Sequence, residues 1–193
     1  MTIRLHRGDL PDLTRYTDSV AIDTETMGLH PHRDRLCVVQ MSNGDGTADV
    51  IQIPKGHTDA PNLKALLANP AITKIFHFAR FDVAVLYNTF GVMPAPVYCT
   101  KIASRLSRTY TDRHGLKDLV REVLNVDLSK QQQSSDWGAQ SLSEAQLAYA
   151  ASDVLHLHAL RDKLNVMLAR EGRTDLDRKS TRLNSSHSYR SRM

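Results

Sequence analysis

The chain has 193 residues, of which 41% are hydrophobic and 24% are charged. This length and composition fit one folded globular domain and exclude a disordered or fibrous protein. The longest apolar runs are too short to cross a bilayer, and the opening residues, MTIRLHRGDL, lack the apolar segment of a signal peptide. We therefore expect a soluble, cytoplasmic protein.

The formal net charge of +4 comes from the end of the chain. Residues 178–193, RKSTRLNSSHSYRSRM, hold five of the 25 Lys and Arg residues and none of the 21 Asp and Glu residues. Without them, 20 basic residues face 21 acidic ones, so the bulk charge gives no argument for a nucleic-acid partner. We expect this basic, Ser- and Arg-rich tail to be disordered, and its text resembles a translated sequencing adaptor rather than a native C-terminus.

The first half of the chain predicts β-strands. Short apolar or alternating runs lie at about residues 3–5, 19–24, 35–42, 48–53 and 72–77. The turn signal NGDG at residues 43–46 separates the third run from the fourth, and its Asn, Asp and Gly residues tolerate positive φ. We therefore predict an antiparallel hairpin made by the third and fourth strands.

After residue 78 the pattern becomes helical. Apolar residues recur at helical spacing over about 79–90, 99–107, 115–125 and 143–170. The last of these segments starts with a capping-box pattern at Ser141–Glu144 and ends before Gly172. Early strands followed by late helices predict a mixed α/β domain whose sheet is covered by helices.

Two acids, Asp23 and Glu25, stand at the end of the predicted strand 19–24. Strand residues i and i+2 face the same side, about 6.5–7 Å apart along the chain. Like charges this close repel unless a cation lies between them, and carboxylate oxygens suit Mg²⁺ or Mn²⁺. A solvated strand end with two independent acids is the alternative interpretation, which this pattern alone leaves open.

Three further residues extend this pattern. Asp82 lies in the first turn of the predicted helix 79–90, where an acid also simply favours the helix dipole. Tyr149 and Asp153 stand one turn apart on one face of the long helix. Next to a metal-binding Asp, a tyrosine can hold or deprotonate a water that attacks phosphorus. Both side chains could equally lie on the surface of an amphipathic helix.

Read in order, these residues resemble the three motifs of DEDDy 3′–5′ exonucleases, the ribonuclease D-like branch of the ribonuclease H-like superfamily. The matching text is AIDTETMGL (21–29), HFARFDVAVL (77–86) and QLAYAASDVLHLHAL (146–160), with SKQQQSSDW (129–137) before the third motif. The segments PHRDRLCVVQ (31–40) and TYTDRHGLK (109–117) narrow the resemblance to nano-RNase C-type oligoribonucleases of alphaproteobacteria. The resemblance implies a ribonuclease H-like mixed sheet flanked by helices, in a single exonuclease domain over residues 1–177.

The resemblance also implies an activity. Two divalent ions, Mg²⁺ or Mn²⁺, would assist the release of 5′-nucleoside monophosphates from the 3′ end of short single-stranded RNA, down to dinucleotides. Asp23, Glu25, Asp82 and Asp153 would be the metal ligands, and Tyr149 would orient the attacking water. The family members form ring-shaped homo-oligomers, and we expect none of the HRDC domains that follow the catalytic domain of ribonuclease D.

Substrate contacts are implied near these motifs. The expected residues are Thr24, Thr26, Met27, Gly28, Leu29, His77, Phe81, Lys130, Gln133, Ser135 and Trp137. Leu29 and Trp137 could equally be core residues, and His77 could be structural. A basic rim made of Arg108, Arg113, His114 and Lys117 is a further hypothesis.

Two other functions are compatible with the same sequence motifs. A general ribonuclease D-like RNA-processing enzyme or a DNA 3′–5′ exonuclease shares the metal chemistry, and RNA specificity needs a contact to the 2′-hydroxyl. An inactive nucleic-acid-binding module could keep the same fold. The presence of all four acids together with the tyrosine disfavours that module.

Overall fold

A computed structural model describes residues 2–129, 131–177 and 179. Within them one mixed sheet contains β1 (Thr2–Arg7), β2 (Ser19–Thr26), β3 (Leu36–Ser42), β4 (Thr47–Gln52), β5 (Thr73–Phe76) and β6 (Val97–Cys99). The strand order across the sheet is β1-β4-β3-β2-β5-β6. The tail predicted at residues 178–193 lies, apart from Lys179, outside the described residues, so its predicted disorder and the domain boundary at residue 177 stay predictions.

Helices cover both faces of this sheet. They are α1 (Pro61–Ala68), α2 (Ala79–Phe90), α3 (Thr100–Ser107), α4 (Leu116–Leu124), α5 (Glu144–Leu155) and α6 (Leu157–Arg170). The predicted class, a mixed sheet flanked by helices, is confirmed. Among the described helices, none combines the length and the apolar character that crossing a membrane requires.

The predicted hairpin forms the centre of the sheet together with β2. Strands β3 and β4 pair antiparallel, as predicted, and β2 pairs antiparallel with β3. On the other side of β2, strands β5 and β6 add in parallel, and β1 joins β4 in parallel at the far edge. The register of β2 against β3 shifts between Glu25 and Thr26, where an irregularity ends the regular pairing.

Apolar side chains fill both sides of the sheet. On one side, residues such as Ile22 and Val39 pack with α1 and α2; on the other, Ala21 and Ile75 pack with α3 to α6. Every residue of β3 is buried. Burial on both faces explains why the central strands read as continuous apolar runs rather than as alternating ones.

The structure differs from the predicted elements at three places. The helix predicted over 143–170 is two helices that meet at His156, because α5 packs on β2, β3 and β4 whereas α6 packs on α3, α4 and β5. No Gly or Pro marks this break. Helix α1, which begins at Pro61, and the three-residue strand β6 were not predicted.

The capping box also differs from the predicted one. Ser143, not Ser141, is the N-cap of α5, and its Oγ accepts a hydrogen bond from the Gln146 backbone N–H at 3.2 Å. The Gln146 side chain completes the box, because its Oε1 accepts from the Ser143 N–H at 3.0 Å. This cap fixes the start of the helix that carries Tyr149 and Asp153.

Replacing Leu164 by Ala tests the packing of α6. Leu164 is fully buried in the core on the helix-rich side of the sheet, so Leu164→Ala should lower the free energy of unfolding by about 2–5 kcal/mol. Val166 on the same helix is 70% exposed, and Val166→Ala should change it by less than about 0.5 kcal/mol. Urea unfolding of both variants measures the difference. Equal effects of the two variants would contradict this packing.

Candidate active site

Three carboxylates meet at the end of β2. Asp23, Glu25 and Asp153 each offer an oxygen, and these oxygens lie within 4.8 Å of one another. The strand supplies the first two at positions i and i+2, on the face that α5 covers, and α5 supplies Asp153. The structure therefore brings together acids that are about 130 positions apart in the sequence.

Asp82 reaches the same place from the other side of the sheet. It lies in the first turn of α2, is 3% exposed, and accepts a hydrogen bond on Oδ1 from Thr24 Oγ1 at 2.7 Å. Thr24 stands between Asp23 and Glu25, so its side chain points to the opposite face, where α2 packs. We call Asp23, Glu25, Asp82 and Asp153 the carboxylate cluster.

Burial and mutual repulsion both disfavour ionisation of the carboxylate cluster. Burial, then the charges of Asp153 and Asp82, raise the pKa of Glu25 to about 8. Burial and the neighbouring acids also raise the pKa of Asp23 well above its usual value, and burial raises the pKa of Asp82 and Asp153. Such a cluster is stable in its ionised form only with positive charge nearby.

The described residues do not supply that charge through an ion pair. Among the described residues, no ion pair joins a Lys, Arg or His side chain to any member of the carboxylate cluster. Several closely spaced carboxylate oxygens without a protein cation are the donor set that hard divalent ions such as Mg²⁺ and Mn²⁺ prefer. The residues present therefore fit a divalent-metal centre.

Tyr149 lies one helical turn before Asp153 on α5. A hydrogen bond from Tyr149 works to lower the pKa of Asp153, and burial raises the pKa of the Tyr149 phenol, so that the hydroxyl stays protonated. The Tyr149 ring packs on Trp137 with ring centroids 6.0 Å apart. Trp137 is 3% exposed and contacts Cys37, Val38 and their neighbours, so it is a core anchor that also lines the site.

A cavity of about 670 Å³ opens in front of the carboxylate cluster. Its walls are the end of β2 with residues 27–29 after it, the start of α2, the start of α4, and described residues between 128 and 137. This volume lies within the range of about 300–1,000 Å³ that is usual for small-ligand sites. Asp23, Glu25 and Asp153 line this cavity and are thus accessible to a ligand of moderate size.

Comparison with known proteins assigns the chain to a family. A protein-family model described as 3′–5′ exonuclease matches residues 10–169. The chain belongs to this 3′–5′ exonuclease family. The predicted enzyme class, a hydrolase acting as a 3′–5′ exonuclease, and the ribonuclease H-like fold are thereby confirmed.

Individual relatives place the chain in the ribonuclease D-like branch of this exonuclease family. NrnC of Brucella melitensis with bound Mg²⁺ is 61% identical, with a TM-score of 0.95 over 98% of this chain and 92% of that one. NrnC bound to pGG is 62% identical, with the same TM-score and coverage. Ribonuclease D of Acidiphilium cryptum is 39% identical over 156 residues, 81% of this chain and 39% of its own length. The chain thus spans about two fifths of the length of the curated relatives that it matches.

The end of β2 and the loop after it hold several of the substrate contacts predicted for this exonuclease. Thr26, Met27, Gly28 and Leu29 all line the cavity. Leu29 is 82% exposed, so the alternative that it is a core residue is wrong. A Cβ atom on Gly28 would lie only 2.3 Å from Asp34 Oδ2, so no larger residue fits there without a shift.

Other predicted contacts have structural partners as well. Gln133, Ser135 and Phe81 line the cavity, and Gln146 Nε2 donates to Ser135 Oγ at 3.1 Å. His77 also lines it, hydrogen-bonds Thr100 Oγ1 at 2.9 Å, and has its pKa lowered to about 3 by burial, so it is neutral. Lys130 lies outside the described residues, and its role stays a prediction.

The hypothesis of a basic rim is wrong for two of its members. Arg108 is completely buried, forms an ion pair with Glu122, and donates to Ser104 Oγ at 2.8 Å. His114 is 9% exposed and shares a hydrogen bond with the same Ser104 hydroxyl. These two side chains therefore join α3 to α4, whereas Lys117, a third member, does line the cavity.

Three residues near the site were not predicted. Phe78 lies at the mouth of the cavity, half exposed, with φ +67°, and the Lys101 ammonium lies 4.3 Å above its ring. Nothing in their sequence neighbourhood signals this pairing. Gln40 donates from Nε2 to Asp23 Oδ2 at 2.7 Å. It lies next to Asp23 because β3 pairs with β2, and that pairing was not predicted from the sequence.

The raised pKa of Glu25 predicts how the metal-free protein responds to pH. The group ionises near pH 4.5 when unfolded and near pH 8 when folded, so the unfolded state loses its proton first as pH rises. The metal-free stability should therefore fall from pH 5 to pH 8, and Glu25→Gln should reduce that fall. Urea unfolding in chelator measures it.

A matched control for this pH dependence is Glu171→Gln. Glu171 lies at the end of α6 beside Arg170, remote from the carboxylate cluster. This variant should keep the wild-type dependence of stability on pH. An unchanged dependence in Glu25→Gln as well would contradict the assigned cause.

Proposed function

We propose that the chain hydrolyses short single-stranded RNA, down to dinucleotides, from the 3′ end and releases 5′-nucleoside monophosphates. The observation that carries this proposal is the carboxylate cluster, which faces a cavity and has no ion-pair partner among the described residues. The binding of pGG by a protein 62% identical to this chain supports a very short substrate.

We propose two divalent ions, Mg²⁺ or Mn²⁺, as the cofactors. Asp23, Glu25 and Asp153 would hold them through oxygens within 4.8 Å of one another, with Asp82 as the fourth acid. Bound ions would supply positive charge for the attacking and leaving oxygens and lower the pKa of the attacking water. The Mg²⁺-bound NrnC structure at 61% identity supports this assignment.

The protein's own side chains would position the reactants. The protonated Tyr149 hydroxyl, next to Asp153, would hold the attacking water in line with the bond from phosphorus to the 3′ oxygen. The water oxygen joins phosphorus, the 3′ oxygen leaves and takes up a proton, and a 5′-monophosphate is released. The exposed Met27 and Leu29 would contact the terminal base, and Lys101 and Lys117 on the cavity wall would attract the phosphate backbone.

We also propose a homo-oligomer in the cytoplasm. The resemblance to ring-forming oligoribonucleases supports the assembly, since NrnC matches 98% of this chain in three dimensions. Residues 1–177 are proposed as the unit that folds into the exonuclease domain.

An assay with RNA and DNA of graded length tests this function. Purified protein is mixed with Mg²⁺ or Mn²⁺ and with 5′-labelled RNAs from two to twenty nucleotides, and in parallel with the matching DNAs. We expect the dinucleotide to be cleaved faster than the longest RNA, and no cleavage in chelator or by Asp153→Ala. Equal rates on DNA and on RNA of every length would favour a general exonuclease. Absence of any metal-dependent cleavage would favour an inactive binding module.

Removal of the Tyr149 hydroxyl tests its proposed role. Tyr149→Phe keeps the ring packed on Trp137 but removes the group that holds water, so kcat should fall at least about 100-fold with KM little changed. Tyr110→Phe is the matched control, because Tyr110 is 68% exposed and donates to Glu122, outside the cavity. A kcat within about twofold of wild type for Tyr149→Phe would exclude this role.

A further inference from the structure

We propose that Gln40 is a positioning residue that holds Asp23 in the geometry required by divalent cations. This inference rests on the proposed function, because it concerns the same metal centre. Gln40 lies on β3, directly opposite Asp23 on β2. Its Nε2 donates a hydrogen bond of 2.7 Å to Asp23 Oδ2.

The Gln40 side of this hydrogen bond is shielded from water. Gln40 is 0% exposed, so no solvent molecule competes for its amide, and a single donor can fix the orientation of the carboxylate. Gln40 therefore holds Asp23 from the side of β3.

The orientation of the Gln40 amide follows from its partners. With nitrogen and oxygen exchanged, the amide oxygen would face a carboxylate oxygen at the same short distance, and two acceptors repel. The orientation toward Asp23 leaves Gln40 Oε1 buried, without a hydrogen-bond partner among the described residues. Folding stability alone disfavours a buried unpaired oxygen. The amide is thus better explained by what it does for the carboxylate than by packing.

The neutrality of Gln40 is the second argument. Asp49, on the neighbouring strand β4, is an acid of the same sheet that lies outside the carboxylate cluster. Arg4 and His6 contact one of its oxygens at 2.8 and 2.9 Å, and Tyr16 donates to the other at 2.6 Å. A cation in place of Gln40 would likewise neutralise Asp23. It would then replace the charge that divalent ions have to provide. A neutral donor fixes the carboxylate and keeps its negative charge available.

Metal binding in the absence of nucleotide tests this inference. Mn²⁺ is titrated into metal-free wild type and Gln40→Met, and free Mn²⁺ is measured by electron paramagnetic resonance. Methionine keeps the length of the side chain and removes the donor, so Mn²⁺ binding should weaken about 10- to 100-fold, as is usual when a group supporting a metal ligand is lost. The melting temperature in chelator should stay equal or rise, because the unpaired oxygen is also removed.

Gln52→Met is the matched control. Gln52 lies on the neighbouring strand β4 and donates to the backbone oxygen of Ala139 at 2.8 Å, away from the carboxylate cluster. Its loss should leave the Mn²⁺ affinity within about twofold of wild type, since no ligand depends on it. The comparison separates loss of a hydrogen-bonded glutamine amide in this sheet from loss of the donor to Asp23.

Gln40→Asn keeps the inference testable if the methionine variant does not fold. Asparagine retains an amide but is one methylene too short to reach Asp23, so it should also weaken Mn²⁺ binding. Wild-type affinity in whichever variants fold would overturn the role of Gln40 while leaving the metal centre intact. A fall in affinity matched by an equal loss of thermal stability in chelator would make Gln40 merely structural. Failure of the wild type to bind Mn²⁺ would instead overturn the proposed metal centre.

Discussion

Repulsion among four closely placed carboxylates, of which Asp82 is buried and the other three are partly buried, is the physical constraint that this fold has to accommodate. Each acid loses hydration on folding and meets like charges, so its ionised form is disfavoured. Such an arrangement persists only if the surrounding structure fixes it. Asp23 and Glu25 lie on β2, which is paired on both sides, and Asp82 and Asp153 lie on helices packed against opposite faces of the sheet. The hydrophobic core thus offsets the cost of bringing the acids together.

Acidic side chains in and beside this sheet receive hydrogen bonds from two different kinds of donor. Burial alone would raise the pKa of Asp49, but hydrogen bonds from Arg4, Tyr16 and His6 outweigh burial and leave the pKa lowered. Asp23 and Asp82 receive hydrogen bonds from neutral groups, the Gln40 amide and the Thr24 hydroxyl. The first arrangement stabilises the fold without further partners. The second preserves negative charge, and it is the one found beside the cavity.

The parts of the site that were readable from the sequence are those set by local geometry. The period of a strand places Asp23 and Glu25 on one face, and the period of a helix places Tyr149 next to Asp153. The approach of Asp82 through Thr24 and the pairing of Gln40 with Asp23 depend on which strands and helices are neighbours. The burial of Arg108 and the break at His156 likewise follow from tertiary packing, since neither has a signal in the sequence nearby.

The acids of the site and the walls of its cavity lie on different parts of the fold. Strand β2 is parallel to β5 but antiparallel to β3, so the carboxylate cluster lies where the direction of the sheet changes, beside the carboxyl ends of β2 and β5. Regular elements hold every acid, whereas residues 27–29, 128–129, 133–135 and 137, which lie outside the helices and strands, form much of the cavity wall. Segments outside regular elements can change length and sequence without moving the acids. Differences in substrate length among relatives with this fold are therefore expected to reside in these walls, and in whatever covers them, rather than in the carboxylates.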